Sequence, residues 1–331
     1  MSHWIEDLQN PAVLPDQTST VSVVQTHISV VFVADDFVYK VKKPVNFGFL
    51  DFSSLEKRHH YCHEEIRLNN RLSQGIYLEV LPVLQDGGDH RLGAGPGYVV
   101  EYAVRMKRIP EKLLMKSLFH EGNLSSSHLK KVAKTLAQFH TRAARTQEID
   151  LFGLPKRFRV NTDENFQQME PYVGRTIAPS DYQDLARWTD SFYRSNGNLF
   201  QNRVRDGKIR DCHGDLHMEH VCFTEPLAVI DCIEFNERFR YGDVIADVAF
   251  LLMDLEYHGG AELSRELWDA YVSAAGDGEG EALLTFYKVY RAVVRGKVNS
   301  FQLDDEAITE ADREEARERA HRYFQLACSY I

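Results

Sequence analysis

The chain has 331 residues, enough for one large core or two lobes, with the 44% hydrophobic and 27% charged content of an ordinary globular protein. Its formal net charge of −10 argues against nucleic acid as the main partner and mildly for a neutral or cationic one. No apolar run reaches the length of a membrane span, residues 1–7 lack the features of a secretory signal, and the five cysteines form no CxxC pair, so a cytoplasmic protein with reduced thiols is expected.

Residues 21–24, 29–33 and 37–41 are rich in β-branched and aromatic side chains and read as strands, with Asp35-Asp36 turning between the last two. Strand alternation puts Val38, Lys40 and Lys42 on one face. Residues 53–72 read as a helix capped by Ser53 or Ser54, with Glu56 in its first turn. Glu65, Leu68 and Leu72 share its inward stripe, where an acid calls for a cation. A Gly/Pro turn at 93–97 precedes a strand over 98–106, and Ile109-Pro110 opens a mainly helical stretch. Helices are expected from Ser125 or Ser126 to about His140, over 161–173, 180–195, 244–256, 261–274 and 281–298, and from Glu306 onward.

The chemistry concentrates in Cys212-His-Gly-Asp-Leu-His-Met-Glu-His220, followed by Val229-Ile-Asp-Cys232 and Tyr241-Gly-Asp243. Between the first two, apolar runs at 221–223 and 227–230 flank Thr224-Glu225-Pro226, the pattern of a β-hairpin. A hairpin returns the chain to its start, so His220 and Asp231 are expected as neighbours, with Asp215 converging on the same spot. Such carboxylates suit metal-assisted phosphoryl transfer, in which metal ions span the phosphates and an acid orients the acceptor hydroxyl.

His213-Gly-Asp215, Ile230-Asp231, Gly242-Asp243 and Asp247-Val-Ala249 stand in the order of the aminoglycoside phosphotransferase signature, and residues 213–249 resemble that family of kinase-like enzymes. The resemblance implies an α+β, two-lobed protein-kinase-like fold. Residues 1–105 would form a nucleotide-binding sheet with one Glu-bearing helix, and 106–331 a helical lobe with the catalytic loop and substrate site. It implies transfer of the γ-phosphoryl group of ATP, with Mg²⁺, to a hydroxyl of a small molecule; relatives phosphorylate choline, homoserine and sugars. It makes Asp215 the base, with His213 beside it in the catalytic loop, and Asp231 a metal ligand. His220 stands where the protein-kinase pattern has a metal-binding Asn. Mg²⁺ prefers oxygen, so His220 is expected as a poor ligand, one acting through water, or a holder of the loop.

On the same pattern Lys40 meets the α- and β-phosphates, Val38 the adenine, and Glu65 (or Glu64) pairs with Lys40. The backbone of Glu101, Tyr102 and Ala103 is expected at the adenine edge. Asp243 reads as a helix N-cap, Asp247 as a brace for the catalytic loop, and His140 as a core histidine able to hydrogen-bond near that loop. Residues 25–29 carry no glycine where a kinase has its Gly-rich loop. No Walker A sequence occurs; the resembled subgroup often has a P-loop domain after this module, and the chain is expected to stop before one.

For the acceptor, Asp254, Glu256, Glu234 and Glu237 favour a cation, whereas Tyr287, Tyr290, Arg291, Arg295 and Lys297 make a basic, aromatic surface. Arg291 and Arg295 could clamp an anion or pair with those acids. Two other classes compete: a kinase-like nucleotide-binding module with little transfer activity, and a metalloprotein using His213, His217 and His220, which would need a continuous helix.

Overall fold

The computed structural model describes residues 3–305 and 308–331. Its strands are β1 (Ser22–Gln25), β2 (Ser29–Val33), β3 (Phe37–Lys42), β4 (Tyr77–Asp86), β5 (Asp89–Leu92), β6 (Tyr98–Lys107), β7 (Ile209–Asp211), β8 (Val221–Cys222), β9 (Ala228–Val229) and β10 (Tyr241–Asp243). Its helices are α1 (His3–Asp7), α2 (Leu55–Asn69), α3 (Met115–His120), α4 (Ser126–Arg142), α5 (Gln147–Leu151), α6 (Pro155–Met169), α7 (Pro179–Arg205), α8 (Glu237–Arg240), α9 (Val244–Tyr257), α10 (Ala261–Ala275), α11 (Glu281–Phe301) and α12 (Glu310–Ser329). The expected start of the last helix, Glu306, lies outside the described residues. The chain forms two compact units, residues 1–121 with 219–237, and residues 122–218 with 238–331.

The first unit is built on an antiparallel sheet in the order β1-β2-β3-β6-β4-β5. Alternation along β3 sends Tyr39 and Val41 into an apolar cluster with Leu8, Val30 and Phe32. Val38 faces the other way, toward Cys62 of α2, Tyr77 and Met106. Helix α2 begins where Ser54 Oγ accepts from Lys57 N at 3.3 Å. Its buried residues are unusually polar for a helix: Arg58, Cys62, Glu65 and Asn69, with Leu68. Gly97 turns the chain into β6 at a φ of 114°, where a Cβ would lie 2.3 Å from the Gln85 carbonyl oxygen. The hairpin read between residues 221 and 230 is present, with Val221 opposite Val229 and Cys222 opposite Ala228. It is tied down by Val229 N donating to Leu72 O at 3.1 Å and Phe223 N to Leu113 O at 2.7 Å.

In the second unit, α9 is buried from Val244 to Leu255 and, apart from Asp247 and Asp254, is apolar over that span, as a central core helix must be. Its N-cap is Asp243, which accepts from Ile245 N at 3.0 Å. Arg203 of α7 grips both Asp243 oxygens at 2.8 Å and reaches Asp277 at 2.6 Å. Removing this buried cation takes the shortest ion-pair partner from two buried carboxylates, leaving Asp277 to Lys208 at 3.4 Å. Arg203→Leu is therefore expected to cost about 3–5 kcal/mol, read as a lowered urea midpoint; a midpoint within error of wild type would remove Arg203 from the stability of this unit.

The largest helix-boundary differences from the sequence reading are in α6 and α7. α6 starts at Pro155 rather than near 161, because proline at the first turn needs no intrahelical donor. α7 continues past Ser195 to Arg205 through a kink at Asn196, whose φ of −122° and ψ of 18° are not helical. Asn196-Gly197 breaks the propensity pattern without ending the element.

Candidate active site

In the first unit two lysines and three carboxylates share one network. Lys40 Nζ lies 2.6 Å from Asp231 and 2.9 Å from Glu65. Lys42 Nζ lies 2.6 Å from the other Glu65 oxygen and also bonds Glu234. Lys42 and Glu65 are fully buried, whereas the Asp231 side chain is 42% exposed, so the network opens to solvent at its Asp231 end. Burial disfavours the charged lysines, but the neighbouring carboxylates outweigh it and both ammonium groups are held above their ordinary pKa. Burial likewise works against the Glu65 carboxylate, and the two lysines overcome it and lower its pKa. For Glu234 burial prevails and the pKa rises. With every group ionised, two positive charges face three negative ones, leaving one net negative charge in the network.

Asp231 is the one non-glycine residue with positive φ among the described residues, at 61°. An L-residue adopts this left-handed geometry only where its surroundings demand it. Here Asp231 N donates to Tyr77 Oη at 3.0 Å and Cys232 N to Asn69 Oδ1 at 2.9 Å. Those two bonds turn the backbone and aim the carboxylate at Lys40. His220 Nε2 is 3.7 Å from the second Asp231 oxygen, the adjacency that the hairpin implied.

The His-Gly-Asp loop belongs to the second unit and is held through its backbone. Asp247 accepts from His213 N at 2.7 Å and Gly214 N at 2.8 Å, and Asp254 from Met218 N at 2.9 Å. Arg291 donates to Gly214 O at 2.8 Å and Ala246 O at 3.1 Å. Asp215 N donates to the His213 ring at 3.3 Å, so His213 is buried inside the loop. The Asp215 side chain is one-third exposed, with His217 Nε2 at 3.6 Å. His140 sits between Tyr271 Oη at 2.8 Å and Asp247 at 3.4 Å, a buried histidine next to the loop's brace.

Burial works against the Asp247 carboxylate, but the His140 bond and the charges of His140, His213 and Arg291 prevail and hold its pKa at about 2. The folded value lies below the unfolded one near 3.8, so its stabilisation is full above that value and is lost as pH falls through about 2. It amounts to on the order of 2 kcal/mol. Asp247→Asn is expected to flatten the stability curve across this acid window, checked by urea unfolding against pH; an unchanged slope would contradict it.

Several expectations are corrected. Glu101, Tyr102 and Ala103 lie within β6, which runs one residue beyond the strand expected over 98–106. Ala103 has ladder partners on both sides, Val41 and Leu81. Glu101 is buried against Arg58, whose Nε reaches its two oxygens at 2.7 and 2.9 Å. Arg291 is spent on the Gly214 carbonyl and is no acceptor clamp. Glu234 belongs to Lys42, and Glu256 to Ser264, Lys288 and Tyr330. Residues 211–217 are not helical, so the continuous helical face on which that reading placed His213, His217 and His220 does not form. The reading missed Lys42, Glu234, Asn69 and Tyr77 as parts of the network. Asn69, four residues after Glu65 on the buried stripe, was the available signal.

A curled antiparallel sheet with a strand lysine paired to a helix glutamate, and a helical unit carrying a braced His-Gly-Asp loop, define a protein-kinase-like fold. Solved structures agree. A choline/ethanolamine kinase family protein from Mesorhizobium loti aligns over 98% of this chain and 97% of its own, with a TM-score of 0.53 at 13% identity. A putative aminoglycoside phosphotransferase from Ralstonia eutropha aligns over 100% and 98%, at 0.51 and 14%. The profile of the phosphotransferase enzyme family APH matches residues 34–284, and the chain belongs to that family. Uncharacterized proteins of Mycobacterium tuberculosis and Mycobacterium bovis are 34% identical over 280 residues, covering 84% of this chain and 54% of theirs. The chain thus spans about half the length of the curated relatives it matches. No helix among the described residues is long and apolar enough to cross a membrane.

Proposed function

We propose that the protein is an ATP-dependent small-molecule kinase that transfers the γ-phosphoryl group to an acceptor hydroxyl. One observation carries the reading: the Lys40 ammonium is fixed between Glu65 and an exposed, backbone-strained Asp231. A buried cation–acid pair ending in an open carboxylate is what phosphate positioning requires. Lys40 neutralises the α- and β-phosphates, and Glu65 with Lys42 keeps it in place.

The net negative charge and the hard oxygen of Asp231 fit Mg²⁺, whereas the His220 nitrogen does not and is read as a support for the loop. Bound with the nucleotide, Mg²⁺ supplies charge neutralisation across the phosphates. Asp215 orients the hydroxyl and accepts its proton as the new P–O bond forms and the bond to the β-phosphate oxygen breaks, releasing ADP. His213 keeps the loop in shape from within. ATP as donor implies a cytoplasmic setting.

The test is ATP turnover with a panel of hydroxylated small molecules, alongside Mg-dependent nucleotide affinity. Asp231→Ala is expected to weaken that affinity by about 10–100-fold; unchanged affinity would sink its role as metal ligand. The nitrogen at His220, where an oxygen ligand belongs, favours a second reading, a nucleotide-binding module with little transfer. Tight Mg·ATP binding without turnover on any acceptor would decide for it.

A further inference from the structure

Helix α2 carries a feature that the kinase reading does not use. His59 and His63, one turn apart, bring their Nε2 atoms to 3.1 Å. The two rings meet edge to face, at an interplanar angle of 85°. The His59 ring is half-buried and packs 4.1 Å from the ring of Tyr102 on β6, which restricts its rotation. Glu56, His60 and His63 are exposed, and with Leu55, His59 and Tyr102 they line an open depression of about 380 Å³.

Two imidazole nitrogens bound at 2.0–2.1 Å to one metal ion stand about 2.9 Å apart at a right angle and about 3.3 Å apart at the tetrahedral angle. The observed separation falls between these limits. Histidines at i and i+4 are also the bite by which a helix holds zinc. We propose that His59 and His63 form a binding site for a divalent transition metal such as Zn²⁺ or Ni²⁺. Imidazole suits these ions and not Mg²⁺, so the site is chemically separate from the oxygen of Asp231. A metal there staples one turn of α2 and, through the His59–Tyr102 contact, fixes the helix against β6.

Calorimetric titration with ZnCl₂ and NiCl₂ tests it, using the whole chain, His59→Ala, His63→Ala, the double variant and Asp231→Asn. Wild type is expected to bind one ion at this site, insensitive to excess Mg²⁺ and retained in Asp231→Asn. Either single histidine variant should bind more than about tenfold more weakly. The melting temperature should rise with zinc in wild type and not in the double variant. No saturable binding in wild type, or undiminished binding in a double variant with a native circular dichroism spectrum, would overturn the proposal.

Discussion

Asp215→Ala is expected to lower ATP-dependent phosphorylation by about 10²- to 10⁴-fold while nucleotide affinity stays close to wild type. The selectivity follows from how the loop is held. Its shape depends on backbone groups of His213, Gly214 and Met218 bonded to Asp247, Arg291 and Asp254, and not on the Asp215 carboxylate. Deleting that carboxylate removes an acceptor for the substrate proton from an otherwise intact loop. Asp215→Asn keeps the volume and loses the basicity, so it should be nearly as inactive as alanine. Equal residual turnover in wild type and both variants would take Asp215 out of the chemistry. A collapse of nucleotide binding together with turnover would mean that the loop had misfolded, contradicting the backbone-brace account.

Glu65→Ala should be the most damaging single change in the first unit, at about 3–5 kcal/mol. Glu65 is completely buried and offers one oxygen to each of Lys40 and Lys42. Without it, Lys42, which is 1% exposed, keeps a single carboxylate partner, Glu234. Lys40 can then swing with Asp231, and nucleotide affinity should fall together with stability. Lys40→Met separates the two effects. Lys40 sits at the open end of the network, so its loss should weaken nucleotide binding at a much smaller stability cost. Urea denaturation and equilibrium nucleotide titration on both variants check this ordering. A Glu65→Ala protein as stable as wild type would show the buried network to be dispensable.

The fold was largely legible because its signals are local. Periodicity in 29–33 and 37–41, the Ser54 cap and the apolar run of α9 each act within a few residues, and the structure has those elements. The hairpin at 221–230 was equally local, and it carried His220 to Asp231 as read. The pairing around the expected adenine edge is set nonlocally. Whether Ala103 has a free backbone edge depends on strands β3 and β4 docking on both sides of β6, and composition does not record register.

Taken alone, the sequence determined the class of chemistry: an ordered set of acids, a lysine strand and a glutamate on an inward helix stripe. Only the tertiary structure decided how the charges are shared. Lys42 and Lys40 lie on the same strand face, and in sequence only the kinase pattern sets Lys40 apart. Burial separates them, because Lys42 meets Glu65 and Glu234 in the interior while Lys40 reaches the exposed Asp231. The left-handed backbone at Asp231 was likewise invisible, since it is imposed by Tyr77 and Asn69 from distant parts of the chain. Long-range hydrogen bonds and desolvation act between residues far apart in the chain, and these set the geometry of the site.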